Sequence, residues 1–386
     1  MNVMITCEFR FFQTPDGQVW TPSSFQYSFW LRYLNVFDNV KVIARVQHVA
    51  YIQKDWILSS GDNVSFFPLP YYVGIIGLIS KLPQTLYKLL QVSRLDGLFL
   101  CRVPSQTANL LTMILRNKRH YALEVVGDPY DVFSSGVGGR LAKYLRNSST
   151  KSLQKQCQFA LGASYVTEQY LQKRYPAGKQ TYQSFYSSIM LEDSQIVAQA
   201  KVYKEPARKL LFIGSLNQLY KAPDILLSAF AKLVKEDKNF RLTLLGAGKY
   251  LPQLQQQASM LAISNNVHFK GEVNSEEVLT YLQTTELFVL PSRTEGLPRA
   301  MIEAMAQALP CVGSNAGGIP ELIAQDYCVP TDDVNTLYAT LSELCNNIEK
   351  LTQQSVINLA KSHNYHSEFL TEKRTSFYQK LREFNI

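Results

Sequence analysis

The 386-residue chain is sparse in the patterns that mark metal, disulfide and membrane-spanning proteins. Its six cysteines, Cys7, Cys101, Cys157, Cys311, Cys328 and Cys345, are scattered with no Cys-x-x-Cys pair, so neither a zinc site nor a disulfide framework is expected, and a reducing cytoplasm is the default. The five histidines, His48, His120, His268, His363 and His366, lack the spacing of metal ligands, and no Asp-x-Asp occurs, so no metal and no cofactor is expected. Long apolar runs are missing too: the most apolar window, 66–82, is broken by Pro68 and Pro70 and ends at Lys81, which excludes a spanning helix there. The amino terminus reaches Cys7, Glu8 and Arg10 with no charged-then-apolar order, so no secretory leader is expected. No compact Lys/Arg run interleaves with stacking aromatics, which argues against a nucleic-acid partner.

What is present is a globular composition, 46% hydrophobic and 18% charged, long enough for two cores. The net charge of +8 suits an anionic membrane surface or a phosphorylated substrate. From Lys209 the pattern alternates: strands at 210–213, 241–245, 267–269, 287–290 and 311–313, and helices at 223–234, 251–261, 275–283 and 297–308. That is a parallel α/β sheet with ligands expected beyond the strand carboxyl ends. The first half is less regular, with strands expected at 3–7, 40–44, 98–102, 121–126 and 159–161. The polar stretch 192–208 reads as a linker.

The stretch Pro291 to Met305 carries the chemistry. It places Glu295 in a strand-to-helix loop and Glu303 in the following helix, with free backbone N–H groups and a positive dipole end between them. A helix start binds phosphate, and carboxylates accept hydrogen bonds from ribose or sugar hydroxyls. Ordinary helix-start and helix-surface acids explain the pair equally well in isolation. A second strand end and a paired-glycine turn, Val312 to Glu321, falls at the same sheet edge.

These residues, Glu295 and Glu303 with seven residues between them, the small-residue helix that follows and Gly317-Gly318-Ile319-Pro320-Glu321, resemble the retaining nucleotide-sugar glycosyltransferases of family 4. The resemblance implies a GT-B fold: two Rossmann-like doubly wound α/β domains facing a central cleft, here 1–200 on the acceptor side and 205–361 on the donor side, with the helix 362–386 returning to the first. It implies a donor site of Gly214, Ser215, Lys221, Gly246, Gly248, Lys270, Glu295, Gly296, Leu297, Arg299 and Glu303. Lys221 and the helix start at 296–299 would hold the diphosphate, Glu303 the ribose and Glu295 the sugar. Ser215 stands where relatives carry an arginine, and Ala222 where they carry a glycine after the lysine. A serine hydroxyl cannot neutralise phosphate, so Arg299 or Arg293 is the expected substitute.

Lys221 by itself reads more readily as a solvated helix-start lysine, an order that the resemblance reverses. Gly246 and Gly248 read as a tight turn, and the side chains around Lys270 identify no base; UDP is the working nucleotide. In the first half Gly17 stands where relatives have a glycine-rich loop near phosphates and acceptor, although a plain turn also fits. Asp128 stands near the position of a family histidine; a sugar contact and a turn start are both open. Glu295, Lys221 and Asp128 are the catalytic candidates. The apolar stretch 70–90, with Lys81 and Lys88, reads as a core helix pair or as a membrane-facing patch.

The expectation is therefore a cytoplasmic, metal-independent, retaining glycosyltransferase at the inner face of the plasma membrane, moving a sugar to a glycan or lipid-linked acceptor in bacterial surface polysaccharide synthesis. Its rivals are a noncatalytic nucleotide-sugar-binding scaffold and a glycoside hydrolase using Glu295 and Glu303.

Overall fold

Runs of buried β-branched and aromatic residues separated by amphipathic segments produce two α/β units in the computed structural model, which describes residues 1–116, 118–130 and 142–384. One unit comprises Met1–Pro129, Asn147–Tyr186 and Thr371–Ile386; the other comprises Tyr130–Arg146 and Ser187–Leu370.

The strands of the first unit are β1 (Asn2–Gln13), β2 (Val19–Thr21), β3 (Asn39–His48), β4 (Ile57–Leu58), β5 (Val64–Leu69), β6 (Leu98–Val103), β7 (Tyr121–Val125), β8 (Gly162–Tyr165) and β9 (Tyr182–Phe185). The parallel part runs β5-β3-β1-β6-β7-β8-β9, so the winding reverses between β1 and β6. β1 is long because its far end, past a register shift between Thr6 and Arg10, turns at Gly17 and pairs antiparallel with β2.

Three sequence expectations change here. The strand expected at 159–161 lies three residues later, because the helix Ala142–Phe159 continues its period to bury Leu153 and Cys157. Gly162 then opens β8, where an added Cβ would press on Leu381 and Phe377 of the last helix, Ser367–Glu383. The apolar stretch 70–90 forms one helix, Gly74–Val92, with Pro83 inside it. The segment 192–208 is no free linker: Lys201 N donates to Ser355 Oγ (2.7 Å), Tyr203 OH to the Glu286 carbonyl (2.6 Å) and Ala207 N to the Cys345 carbonyl (2.9 Å).

The second unit has β10 (Lys209–Ile213), β11 (Arg241–Leu245), β12 (Val267–Gly271), β13 (Leu287–Leu290), β14 (Cys311–Ser314) and β15 (Cys328–Val329), all parallel, in the order β12-β11-β10-β13-β14-β15. This is the doubly wound arrangement, with its switch point between β10 and β13. Leu210, Leu211, Phe212 and Leu287 to Leu290 are almost completely buried, as strands covered on both faces require.

A buried polar cluster ties the last helix into the first unit. The Glu124 carboxylate pairs with Arg102 and accepts from Tyr33 OH (3.0 Å), Tyr186 OH (3.3 Å) and Tyr378 OH (2.5 Å). Burial alone would raise the Glu124 carboxyl, but Arg102 and the Tyr378 and Tyr33 hydroxyls hold it below the usual glutamate value. Stability from such a group is present above its unfolded value and lost as pH falls through the folded one. Glu124→Gln leaves Arg102 buried without its counter-charge, so urea unfolding at pH 7 should show a loss of about 3 kcal/mol that shrinks toward pH 3. Identical midpoints for the two proteins at pH 7 would refute the account.

Candidate functional site

At the β10/β13 switch point two loops converge in the second unit. After β10 the chain passes Gly214 and Ser215 and forms a single turn of 3-10 helix, Leu219–Lys221, before the helix Pro223–Glu236. After β13 it runs Pro291 to Pro298 into the helix Arg299–Ala306. Lys221 Nζ donates to Glu295 Oε1 at 2.7 Å, and Ser292 Oγ donates to the same oxygen at 2.8 Å. Both charged side chains are largely buried, 15% exposed for Lys221 and 9% for Glu295, so the pair is shielded from solvent screening. The second Glu295 oxygen has no hydrogen-bond partner among the described residues.

Two glycines make this convergence possible. A Cβ on Gly214 would meet the Lys221 side chain at 2.5 Å. Gly317, from the loop after β14, has φ +57° and lies so close to the Glu295 carbonyl that no side chain fits. Gly318 N also donates to the Gly296 carbonyl at 2.7 Å. The paired-glycine turn noted in the sequence thus backs the Glu295 loop.

The other expected residues are distributed along the same strand ends. Gly246, with Ala247, lines a groove with Gly214, Ser215, Asn217, Glu272 and Val273. Gly248 packs against the backbone of Leu216 and Asn217. Lys270 is exposed on β12 and does not line that groove; Glu272, two residues on, does. Val278 joins this groove to a second pocket formed by Leu191, Gln195, Ser275, Leu279, Leu282 and Glu303. Gly296 and Leu297 lead to Pro298, which caps the helix with extended backbone instead of lying in its first turn. The N–H groups of Arg299 and Ala300 behind it have no partner among the described residues, which leaves a positive helix end open beside Glu295.

Either Arg293 or Arg299 was expected to make up for Ser215. Arg293 is committed: it forks onto Asp224 (3.0 and 2.8 Å), bonds Asp332 (2.7 Å) and donates to the Leu219 carbonyl. Arg299 is exposed with no hydrogen-bond partner among the described residues. Ser215 is also exposed, its Oγ accepting from Asn217 N at 3.3 Å.

In the first unit the candidates are placed differently. Asp128 is buried, its carboxylate taken up by the Arg174 guanidinium and the Tyr175 hydroxyl, so it holds the segment after β7 to the helix Tyr170–Arg174. This acid is engaged within the fold and presents no open base. Gly17, φ +84°, sits in the β1–β2 hairpin turn closed by Gly17 N to the Thr14 carbonyl (2.9 Å), the plain-turn alternative.

Sequence reasoning passed over Ser292, Asp224, Gln195 and Leu191. Only Ser292 had a local signal, the Pro-Ser pair that ends β13; the others are brought to the site by folding. A second consequence of folding is Ala222, fully buried at φ 53° and ψ 45°. A left-handed conformation costs a non-glycine residue roughly 1–2 kcal/mol, so the turn carrying Lys221 is strained.

Desolvation raises the Glu303 carboxyl above its ordinary value, an effect that Arg299 only partly offsets. A carboxyl so raised costs stability once it ionises: the cost is absent below the unfolded-state value and complete above the folded one. Glu303→Gln should therefore raise Tm by about 2 °C at pH 8 and leave it unchanged near pH 4. A gain of the same size at both pH values would remove buried charge as the cause.

The chain is 28% identical over 324 residues to Protein CapJ of Staphylococcus aureus, covering 80% of this chain and 78% of that one. It is 32% identical over 145 residues to the amylovoran biosynthesis glycosyltransferase AmsK of Erwinia amylovora, a match spanning 35% of each chain. In fold it is similar to Anabaena Alr3699/HepE, solved in complex with UDP-glucose, at TM-score 0.66 and 15% identity over 100% of both chains. Residues 207–347, which hold Lys221, Glu295 and Glu303, match the family described as glycosyl transferases group 1.

Proposed function

We propose that the protein is a retaining, metal-independent glycosyltransferase that moves a sugar from a nucleoside-diphosphate donor, UDP-linked in the first instance, to a hydroxyl of a glycan or lipid-linked acceptor. The observation that carries this reading is the Lys221–Glu295 pair at the switch point, beside an open helix end. A diphosphate bound there meets the Lys221 ammonium and the N–H groups at 299 and 300, where negative charge grows as the bond to the sugar breaks. The free oxygen of Glu295 accepts from donor-sugar hydroxyls, and Glu303 accepts from ribose hydroxyls at the edge of an apolar pocket suited to a base. The C1–phosphate oxygen bond breaks, C1 bonds the acceptor oxygen on the same face, and the acceptor proton passes to the departing diphosphate. The protein contributes position and electrostatics, without a nucleophile of its own.

A hydrolase reading needs Glu295 and Glu303 as an acid and nucleophile pair, whereas Glu295 is bonded to Lys221 and Ser292. A noncatalytic binding role draws support from Ser215 and from the commitment of Arg293 to Asp224. A thermal-shift screen against UDP, GDP, ADP and their sugar conjugates separates the readings. One nucleotide is expected to raise Tm, with Lys221→Ala and Glu303→Ala abolishing the shift and slow donor hydrolysis detectable in the wild type. Binding without any turnover would favour the scaffold; no binding at millimolar nucleotide would reject a donor site.

We also propose that the first unit meets the inner face of the plasma membrane, where a lipid-linked acceptor for surface polysaccharide would lie. The helices Gly74–Val92, Gln106–Leu115 and residues 147–159 bury Leu89, Leu111 and Leu153 in one core cluster, so they form one layer on the sheet. Residues 74–95, 106–120 and 147–159 contain eight Lys and Arg and no Asp or Glu. Ile76 (86% exposed), Ile79, Tyr87 and Met113 stand out from this layer. Basic residues around exposed apolar ones suit anionic headgroups. No helix among the described residues is long and apolar enough to cross a membrane. The full chain is expected to sediment with phosphatidylglycerol vesicles, less with phosphatidylcholine alone, and Ile76→Ser with Lys81→Glu should release it; equal recovery with both lipids would defeat the electrostatic part.

A further inference from the structure

We infer that Arg293 is a positioning residue of the donor site, holding the turn Leu219–Lys221 in the conformation that delivers the Lys221 ammonium to Glu295. The inference rests on the functional reading above. Arg293 lies two residues before Glu295 on the same loop, and it holds both carbonyls that precede Lys221. Its backbone N–H donates to the Tyr220 carbonyl at 2.7 Å, and its guanidinium donates to the Leu219 carbonyl.

The guanidinium is itself anchored from two directions. It forks onto Asp224, in the first turn of the helix Pro223–Glu236, and its Nε donates to Asp332 Oδ1 at 2.7 Å. The planar fork matches a carboxylate in a way that a lysine cannot.

The turn needs such a hold. At its carboxyl end it is closed by Ala222 N donating to the Leu219 carbonyl at 3.0 Å, and is followed at once by Ala222 in a left-handed conformation. An alanine there biases the free chain away from this geometry, whereas glycine would not. The clamp and the strained residue lie on either side of Lys221 and oppose each other. Arg293 therefore acts through Lys221 and does not touch the donor.

The test measures binding of UDP, GDP and ADP by calorimetry, well below the melting temperature, to the wild type, Lys221→Ala, Arg293→Ala, Arg293→Lys, Ala222→Gly and the double variant Arg293→Ala/Ala222→Gly. Arg293→Ala is expected to weaken the preferred nucleotide about tenfold or more, since small misplacements of a positioned group are costly. Arg293→Lys should stay impaired, Ala222→Gly alone should bind within about twofold of wild type, and the double variant should recover several-fold over Arg293→Ala. Full rescue by Arg293→Lys would assign the residue to simple charge and overturn the inference. Wild-type affinity in Arg293→Ala, with Lys221→Ala defective, overturns the inference while leaving the functional reading intact; failure of the wild type to bind any nucleotide removes the functional reading instead. A crystal structure of Arg293→Ala decides independently of nucleotide. Lys221 Nζ beyond hydrogen-bond reach of Glu295 supports the clamp, and an unchanged turn refutes it.

Discussion

The ion pair between Lys221 and Glu295 is the interaction on which the candidate site depends. Each side chain comes from a loop that follows a different strand, and the two strands, β10 and β13, are those between which the sheet reverses its winding. At that reversal the helices after the two strands diverge to opposite faces and leave a crevice at the carboxyl edge. A largely buried lysine and carboxylate hold each other there in a fixed relation, and Ser292 fixes the shared oxygen. Removing either partner strands the other, which makes the arrangement rigid as well as polar.

Around that pair the loops are arranged by close approach. Gly214 leaves room for the lysine stem, Gly317 lets the loop after β14 touch the Glu295 carbonyl, and Arg293 secures the turn from behind. Strain at Ala222 is compatible with the fold because the surrounding hydrogen bonds over-determine the turn. In the first unit a comparable role falls to Glu124, a buried carboxylate reached by Arg102 and by tyrosines from three separate chain segments. There the polar cluster fixes the last helix, so Phe377, Tyr378 and Leu381 are fully buried although they come from the end of the chain.

Much of the second unit was legible because its strands are fully buried runs and its helices are amphipathic, and both signals are local. Expected and observed elements there differ by at most two residues at each end, as in the helix that begins at Arg299 instead of Leu297. The first unit was harder to read. Its short strands, β2, β4 and β9, are only partly buried, and the helix ending at Phe159 ran over an expected strand. The segment 192–208 looked like a linker because its composition is polar, yet its backbone N–H groups at Lys201, Tyr203 and Arg208 are held by Ser355, Thr352 and Glu286 from distant positions.

The sequence by itself determined the two α/β units, the strand-loop-helix setting of Glu295 and Glu303, and the glycines that must stand where loops touch. These follow from periodicity, from helix-end chemistry and from the conformational freedom of glycine, all of which act over a few residues. Tertiary structure alone decided which charges are free. Arg293 and Arg299 are equal as sequence, but folding carries Asp224 and Asp332 to the first and leaves the second exposed. Asp128 likewise looked available until Arg174 and Tyr175 came to it. Whether a side chain can serve a ligand depends on partners dozens of residues away, and only the packed fold brings those partners within hydrogen-bond distance.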